Sequence, residues 1–559
     1  METTKLKIKI IPLGGLGEIG ANTMALEIDD EIIIIDCGLG FPDESLIGVD
    51  ILIPDFTYLK NNQSKIKALI LTHAHEDHIG AVPYLLKQVT VPKILSARLT
   101  NGLLEHKLIE HDLVKASTLI NVEAKEFHEL SSNFGVKFIA STHSVADAFS
   151  LIIKTPLGLI IHTGDFKFDY TPIDGKQYDF DSLIEAGNTD LLLLMSDSTN
   201  IERDGYTPSE SVIKPRFEEI FLKARERIIA TTFASNIHRM SQVLSVAQAF
   251  NRKVAILGRS MLKYASIARD LGYINYPDSL MVSLNDLPQI PKNEQVILTT
   301  GSQGEPLAAL NRMAQAEHKQ VKITPGDTVI FSATPIPGNE RLVANTINGL
   351  FYHGAQVIYG KKSGIHVSGH ASKSEQRLML EMTKPKFFIP IHGEYRMLIK
   401  HAQLARECGV EHNNVLVLEN GDVLEMDKDS AKIVDKVPSH KHFIEGNRSS
   451  DVDISVINER KILMEDGVIN LAFVFNHKNE LIADPQIKMR GLILPRNKTQ
   501  ANFQVELANY IKGNINRIDK SKLNDSDLKE TLKSLIEDFF ENEVKSQPLK
   551  QIHIHKLNY

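Results

Sequence analysis

Short apolar runs punctuate the first two hundred residues, and several end in a polar cluster. Residues 68–71, 136–140 and 157–161 are long enough for buried strands and too short for helices, and 387–391 has the same character much later. Near the start, 6–13 alternates lysine with apolar residues, and 22–28 and 31–35 continue as strands. A helical period then appears: Ile79, Val82, Leu85 and Leu86 share one face, so a helix follows the 68–71 strand.

Between residues 197 and 366 a second rhythm takes over. Helical stretches at 209–224, 236–250 and 260–271 alternate with strands at 228–232, 253–257, 295–299, 328–331 and 356–359. That is the pattern of a separate doubly wound α/β domain. Afterwards 394–408 predicts a helix, and 415–418 with 423–426 predict strands around Asn420-Gly421. From 435 to 450 the pattern thins into Pro438, Ser439, His440, Gly446 and paired serines, which predicts a linker. The remainder predicts strands near 469–475, 492–495 and 552–554, and helices over 502–511 and 526–544. His553 and His555 alternate along the last strand and read as edge residues without a metal role.

Composition narrows the class. A chain of 559 residues suggests about three or four domains, and 42% hydrophobic residues supply real cores. Cys37 and Cys408 lie far apart, which argues against a disulfide framework and for a reducing cytoplasm. The N-terminal residues lack the apolar core of a signal peptide, and no apolar stretch reaches the roughly 18 residues of a membrane span. The expectation is a soluble cytoplasmic protein with no membrane partner. A net charge of −7 argues against a protein that coats nucleic acid, although it leaves room for a locally basic groove.

Two motifs carry candidate chemistry. Gly14-Gly15-Leu16-Gly17-Glu18-Ile19-Gly20 contains a GxGxxG, but strands follow it where a dinucleotide site needs a helix, so the glycines read as a tight loop. The stretch Thr72-His73-Ala74-His75-Glu76-Asp77-His78 packs four ligand-type residues between a strand and a helix. His73 and His75 leave the strand end and can converge on one ion, while Asp77 and His78 start the helix and can face a second. Further strands deliver His143, Asp165 after His162-Thr163-Gly164, and His392. Ligands at successive strand ends on one sheet edge gather into one site.

These residues match the HxHxDH signature of the metallo-β-lactamase superfamily. The segments at 72–80, 142–144, 162–169, 196–200 (Ser-Asp-Ser-Thr-Asn), 233–236 (Phe-Ala-Ser-Asn), 366–371 (His-Val-Ser-Gly-His-Ala) and 390–395 (Pro-Ile-His-Gly-Glu-Tyr) resemble the bacterial ribonuclease J family, in the family's order across almost 400 residues. The resemblance implies a metallo-β-lactamase αββα sandwich at 1–207 and 361–437, split by a doubly wound β-CASP domain at 208–360. A linker at 438–450 and a small α/β C-terminal domain at 451–559 complete it. It assigns His73, His75 and His143 to one cation and Asp77, His78 and His392 to another, with Asp165 between them. It makes Asp36 the acid that braces the histidine loop, His370 the group that meets the scissile phosphate, and Asp197 the acid that orients His370. Small residues and helix starts place Phe233, Ser235, Asn236, His366, Ser368, Gly369, His370, Ala371 and Ser372 along the RNA.

The implied activity is hydrolysis of RNA phosphodiester bonds in RNA maturation and mRNA decay. It is a 5′ to 3′ exonuclease on 5′-monophosphorylated single strands, with endonuclease cleavage as well. Two divalent cations serve it, Zn2+ first, with Mn2+ or Mg2+ also suited to the donors. The family implies self-association as a dimer or tetramer and partners in RNA-degradation complexes. Loops at 301–306 and 333–338 and the basic residues Arg239, Arg259, Lys361 and Lys362 are further candidates to follow the backbone. Three other readings share parts of the pattern: a small-molecule ester hydrolase of the same fold, a DNA-directed β-CASP nuclease, and an RNA-binding scaffold without catalysis. The first needs no inserted domain, the second differs in 2′-hydroxyl selectivity, and the third predicts broken ligand positions.

Overall fold

A computed structural model describes residues 6–43, 45–189, 191–303, 308–335, 339–446, 452–517 and 524–557. The chain forms two compact units, one from Met1–Phe41 and Ile51–His442, the other from Pro42–Asp50 and Phe443–Tyr559.

In the first unit two sheets face each other. The eight-stranded sheet runs Ala431–Lys436, Asp422–Met426, Ile8–Gly14, Thr23–Ile28, Glu31–Ile35, Ile66–Ile70, Lys93–Ser96, Thr118–Asn121. The six-stranded sheet runs Phe387–Ile391, Leu193–Asp197, Gly158–His162, Ala148–Thr155, Gly135–Ser141, Phe127–Glu129. Their inner faces share one core in which Ile10, Leu26, Ile33 and Ile70 meet Phe138, Leu151, Ile160 and Leu193. The alternate residues Ile139, Ile161, Leu194 and Phe388 pack outward against Leu183, Met379 and Leu404 of the helices Phe180–Gly187, Lys373–Thr383 and Tyr395–Glu407. Both faces of these strands are therefore buried, which is why they read as continuous apolar runs.

The insert is a five-stranded parallel sheet in the order Lys253–Leu257, Gln295–Thr299, Ile228–Thr231, Thr328–Phe331, Gln356–Ile358. The helices Ile213–Lys223, Ile237–Ala249 and Arg259–Asp270 alternate with its first strands. Leaving Leu193–Asp197 and returning at Phe387–Ile391 is possible because those two strands are parallel neighbours, Asp197 opposite Ile391.

In the second unit Gln486–Arg490, Val468–Asn476 and Leu549–Leu557 form a sheet with one face covered by Gln500–Ile515 and Asp525–Glu543. Three expectations are corrected. The strand lies at Gln486–Arg490, where Ile487 and Met489 turn toward the core, and residues 492–495 form none; Pro495 lacks the N–H a ladder needs. Residues 415–418 make only an isolated bridge, Val415 to Phe388. The expected linker contains a short strand, His442–Ile444. Residues 304–306, 336–338 and 447–450, which fall in two expected loops and that linker, lie outside the described residues.

Candidate metal centre

The histidine loop is anchored from behind. Asp36 follows Glu31–Ile35 at a positive φ of 58°. Its Oδ1 accepts from the Thr72 backbone N–H at 2.7 Å and its Oδ2 from the Thr72 hydroxyl at 2.8 Å. The same Oδ2 lies 2.7 Å from His78 Nδ1. A carboxylate only accepts, so Nδ1 carries the proton and Nε2 offers a lone pair. The Thr72 hydroxyl donates its one hydrogen bond to Asp36 and so accepts from His73 Nδ1 at 3.0 Å, which leaves His73 in the same form. His143 Nδ1 donates to the Gly369 carbonyl at 2.7 Å. His392 Nδ1 sits 2.7 Å from the Thr199 hydroxyl, whose proton goes to the His392 carbonyl at 3.1 Å. Four imidazoles are thus held by distinct partners with Nε2 turned inward, the arrangement that orients histidines toward cations.

The inward atoms fall into two groups that share Asp165. His75 Nδ1 lies 3.1 Å from both His73 Nε2 and His143 Nε2. Asp165 Oδ2 is 3.5 and 3.6 Å from those Nε2 atoms. In the second group His78 Nε2 is 3.6 Å from Asp77 Oδ2 and 3.3 Å from Asp165 Oδ2. His392 Nε2 is 3.3 Å from Asp77 Oδ2 and 3.5 Å from Asp165 Oδ1. Donors about 2.0–2.1 Å from one tetrahedral ion stand about 3.3–3.4 Å apart, so both groups have the spacing of a cation's ligands. The Nε2 lone pairs of His73 and His143 both face His75 Nδ1, and a single ring proton there cannot satisfy the two of them, whereas a cation among the three nitrogens does. The donors therefore fit two ions.

Asp165, Asp197, His370 and His392 also gather within 4.8 Å. There His370 Nδ1 and Asp197 Oδ2 are 2.8 Å apart, a hydrogen bond rather than a ligand edge. Asp197 Oδ1 accepts from the Thr199 backbone N–H at 2.9 Å, which fixes the carboxylate.

Charge is distributed unevenly. Burial pushes His73 and His143 well below the usual imidazole range and His75 down to about 4. Burial also opposes charge on His78 and His392, but Asp165, aided by Asp77 and Asp36 for His78 and by Asp197 and Asp77 for His392, outweighs it and holds both well above that range. Burial disfavours the Asp165 carboxylate too, yet His392 and His78 keep it well below the ordinary value. The carboxylate-rich group thus demands positive charge, which suits a divalent ion.

The expected RNA contacts are less uniform. Ser368 accepts from Asn200 Nδ2 at 2.9 Å, Ala371 is buried, and Phe233 and Ser235 are half-buried. Asn236 caps the helix Ile237–Ala249 and Ser372 caps Lys373–Thr383 in a capping box with Glu375. His366 Nδ1 is buried without a partner among the described residues, and burial with Arg239 pushes the ring down to about 3. Arg239 corrects an expectation: it is 0% exposed, and its Nε donates to Glu210 at 2.7 Å, so it cannot follow a backbone. Arg259 and Lys362 are exposed, and the Lys361 side chain lies outside the described residues.

Several supporting residues left little local trace. Thr199, Thr207, Glu375 and the Gly369 carbonyl act across long sequence separations. Gly38 had only its place two residues after Asp36 as a signal, and a side chain there would overlap the Asp77 carbonyl.

Comparisons with known proteins identify the family of each part of the chain. Residues 16–198 match the metallo-beta-lactamase superfamily, and 225–350 match the ribonuclease J beta-CASP domain. Residues 355–417 match the Zn-dependent metallo-hydrolase RNA specificity domain, and 455–557 the ribonuclease J C-terminal domain. Ribonuclease J of Synechocystis sp. is 47% identical over 487 residues, 87% of this chain and 76% of the relative. The chain belongs to the ribonuclease J family. Ribonuclease J2 of Bacillus subtilis, also of this family, is 38% identical over 97% of both chains. A protein of unknown function from Enterococcus faecalis shares the fold, with a TM-score of 0.54, 15% identity, and coverage of 75% of this chain and 100% of its own. Ribonuclease J membership accounts for the inserted sheet and the second unit together, since a family profile matches each.

Proposed function

We propose that this protein is a two-cation ribonuclease that cleaves RNA phosphodiester bonds, 5′ to 3′ from 5′-monophosphorylated ends and also internally, in RNA maturation and decay. The observation that carries the reading is the pair of donor groups sharing Asp165, with the His370–Asp197 pair beside them, in a chain of the ribonuclease J family. His73, His75, His143 and Asp165 would hold one cation, and Asp77, His78, His392 and Asp165 the other. Divalent cations supply Lewis-acid stabilisation of phosphoryl oxygens and lower the pKa of water toward ~7. Zn2+ suits these nitrogen and oxygen donors, and Mn2+ or Mg2+ are the alternatives. Asp197 holds the Nδ1 proton of His370, which leaves Nε2 to carry a proton to the departing 3′ oxygen. Ser235, Ser368 and the helix starts beside Asn236 and Ser372 would line the RNA path.

We further propose the division into 1–207, 208–360, 361–437, 438–450 and 451–559, self-association through the last part, and partners in RNA degradation. We propose a cytoplasmic setting as well; among the described residues no helix is long and apolar enough to cross a membrane.

The test uses a 5′-labelled, 5′-monophosphorylated single-stranded RNA, a DNA of the same sequence, and Asp77→Ala protein in parallel with Zn2+ or Mn2+. Labelled mononucleotide from RNA alone, made only by unmodified protein, is the expected result. Longer labelled products add the endonuclease. Intact RNA under every metal condition, or equal cutting by Asp77→Ala, overturns the reading.

A further inference from the structure

Glu76 stands between two proposed ligands and belongs to neither donor group. Its carboxylate points instead to a junction of helices. Lys107 Nζ, from Arg98–Glu110, donates to both oxygens at 2.6 and 2.8 Å. The Tyr264 hydroxyl, from Arg259–Asp270 of the inserted domain, donates to Oε1 at 3.0 Å. Tyr264 is only 6% exposed, while the Glu76 side chain that accepts from it keeps 36% of its surface open to water. The two helices meet closely at Gly102, where an added methyl would lie 2.8 Å from Leu271 Cδ1. A separate ion pair, Lys263 to Glu110 at 2.8 Å, ties the same helices without touching the histidine loop.

The short turn Glu76–Ile79, which bears Asp77 and His78, is gripped from the other flank as well. Leu39 N–H donates to the Glu76 carbonyl at 2.9 Å, and Asn22 donates to the Asp77 carbonyl through its backbone N–H at 3.1 Å and its Nδ2 at 3.0 Å. Loop residues flanking the N-terminal strands thus hold one flank of the turn. Glu76 holds the other, and one of the three hydrogen bonds to its carboxylate comes from the inserted domain.

We propose that Glu76 is a positioning residue through which Tyr264 of the inserted domain sets the cation affinity of the Asp77, His78 and His392 group. The proposal rests on the two-cation reading above. Its consequence is that correct seating of the RNA-covering domain and completion of the second cation group are one structural event. Loss of a partner that orients a metal ligand weakens metal affinity by about 10–100-fold, and Tyr264→Phe, which leaves Lys107 in place, belongs near the lower end.

The experiment titrates chelator-stripped full-length protein with Mn2+ by calorimetry and measures kcat and KM on labelled RNA. Expected for Tyr264→Phe is one cation bound about tenfold more weakly, with the other unchanged, kcat reduced at limiting Mn2+, and KM for RNA unchanged. Glu76→Ala shows a larger loss at the same site, and Lys263→Ala binds both cations as the unmodified protein does. Unaltered binding of both cations by Tyr264→Phe, with only KM raised, reduces Tyr264 to domain docking and overturns the proposal. Equal weakening by Lys263→Ala and Tyr264→Phe overturns it too, because general loosening then explains both. An unmodified protein that takes up no second cation sinks the two-cation reading, and this proposal with it.

Discussion

Replacing Gly369 with alanine should disable the first cation group while leaving the fold in place. The Gly369 carbonyl holds His143 Nδ1 at 2.7 Å. A methyl on Gly369 would lie 2.5 Å from His143 Cε1, 2.7 Å from its Nδ1 and 2.8 Å from Ser144 Oγ. Carbon atoms in contact prefer about 3.5–4.0 Å, so the ring must retreat by roughly 1 Å. Gly369 is not among the residues with positive φ, so the backbone accepts alanine and the effect is steric. Displacing His143 breaks its orienting bond and opens the 3.1 Å spacing to His75. Loss of such a partner costs about 10–100-fold in metal affinity. A 1 Å misplacement costs about 100-fold in rate, roughly 2.7 kcal/mol of transition-state stabilisation. The assay is Zn2+ titration of stripped protein beside kcat/KM on labelled RNA, with thermal unfolding as the control for folding. Affinity and rate equal to the unmodified protein, at equal unfolding temperature, would refute this reasoning.

Thr199→Val removes the nearer acceptor of the His392 Nδ1 proton and leaves Asp197 Oδ1 at 3.5 Å, so cation affinity should fall toward the lower end of about 10–100-fold and Thr199→Ser should restore it. Arg239→Ala strands the buried Glu210 carboxylate and should cost about 3–5 kcal/mol in denaturant unfolding. Burial disfavours the Glu210 charge, but Arg239 and Lys167 overcome it and keep its pKa below the usual value. A depressed folded pKa gives stability that is present above the unfolded value and lost as pH falls through the folded one. Unfolding midpoints should therefore drop below about pH 4.5, and less steeply in Glu210→Gln. Gly513 lies exposed within Gln500–Ile515 with open space around its Cα, so Gly513→Ala should stabilise the second unit by about 0.5–1 kcal/mol in thermal unfolding.

The features legible in the sequence share one property, short range. His73, His75, Asp77 and His78 stand within six residues between a strand and a helix, so their chemistry could be read locally. His143, Asp165 and His392 needed the added observation that each follows an apolar strand, and their grouping rested on family resemblance. The partners that orient them were not legible. Gly369 reaches His143 across 226 residues and Thr199 reaches His392 across 193, and neither leaves a periodic mark. Arg239 reads as surface because a lone arginine in an amphipathic helix usually is; its burial is made tolerable by Glu210, 29 residues away, and by Ser332 and Ile365, 93 and 126 residues away, which accept its remaining protons. In the second unit the 492–495 run is more apolar than Gln486–Arg490, yet the alternation of Ile487 and Met489 matched the neighbouring strand, and alternation decided the pairing.

The most direct measurement adds Zn2+ or Mn2+ stepwise to chelator-stripped protein and counts bound ions while following cleavage of labelled RNA. Cleavage should saturate as the second equivalent binds, and Asp165→Asn should neither hold both ions nor cut. Full activity with one ion bound, or cleavage by protein that holds none, would contradict the two-cation reading.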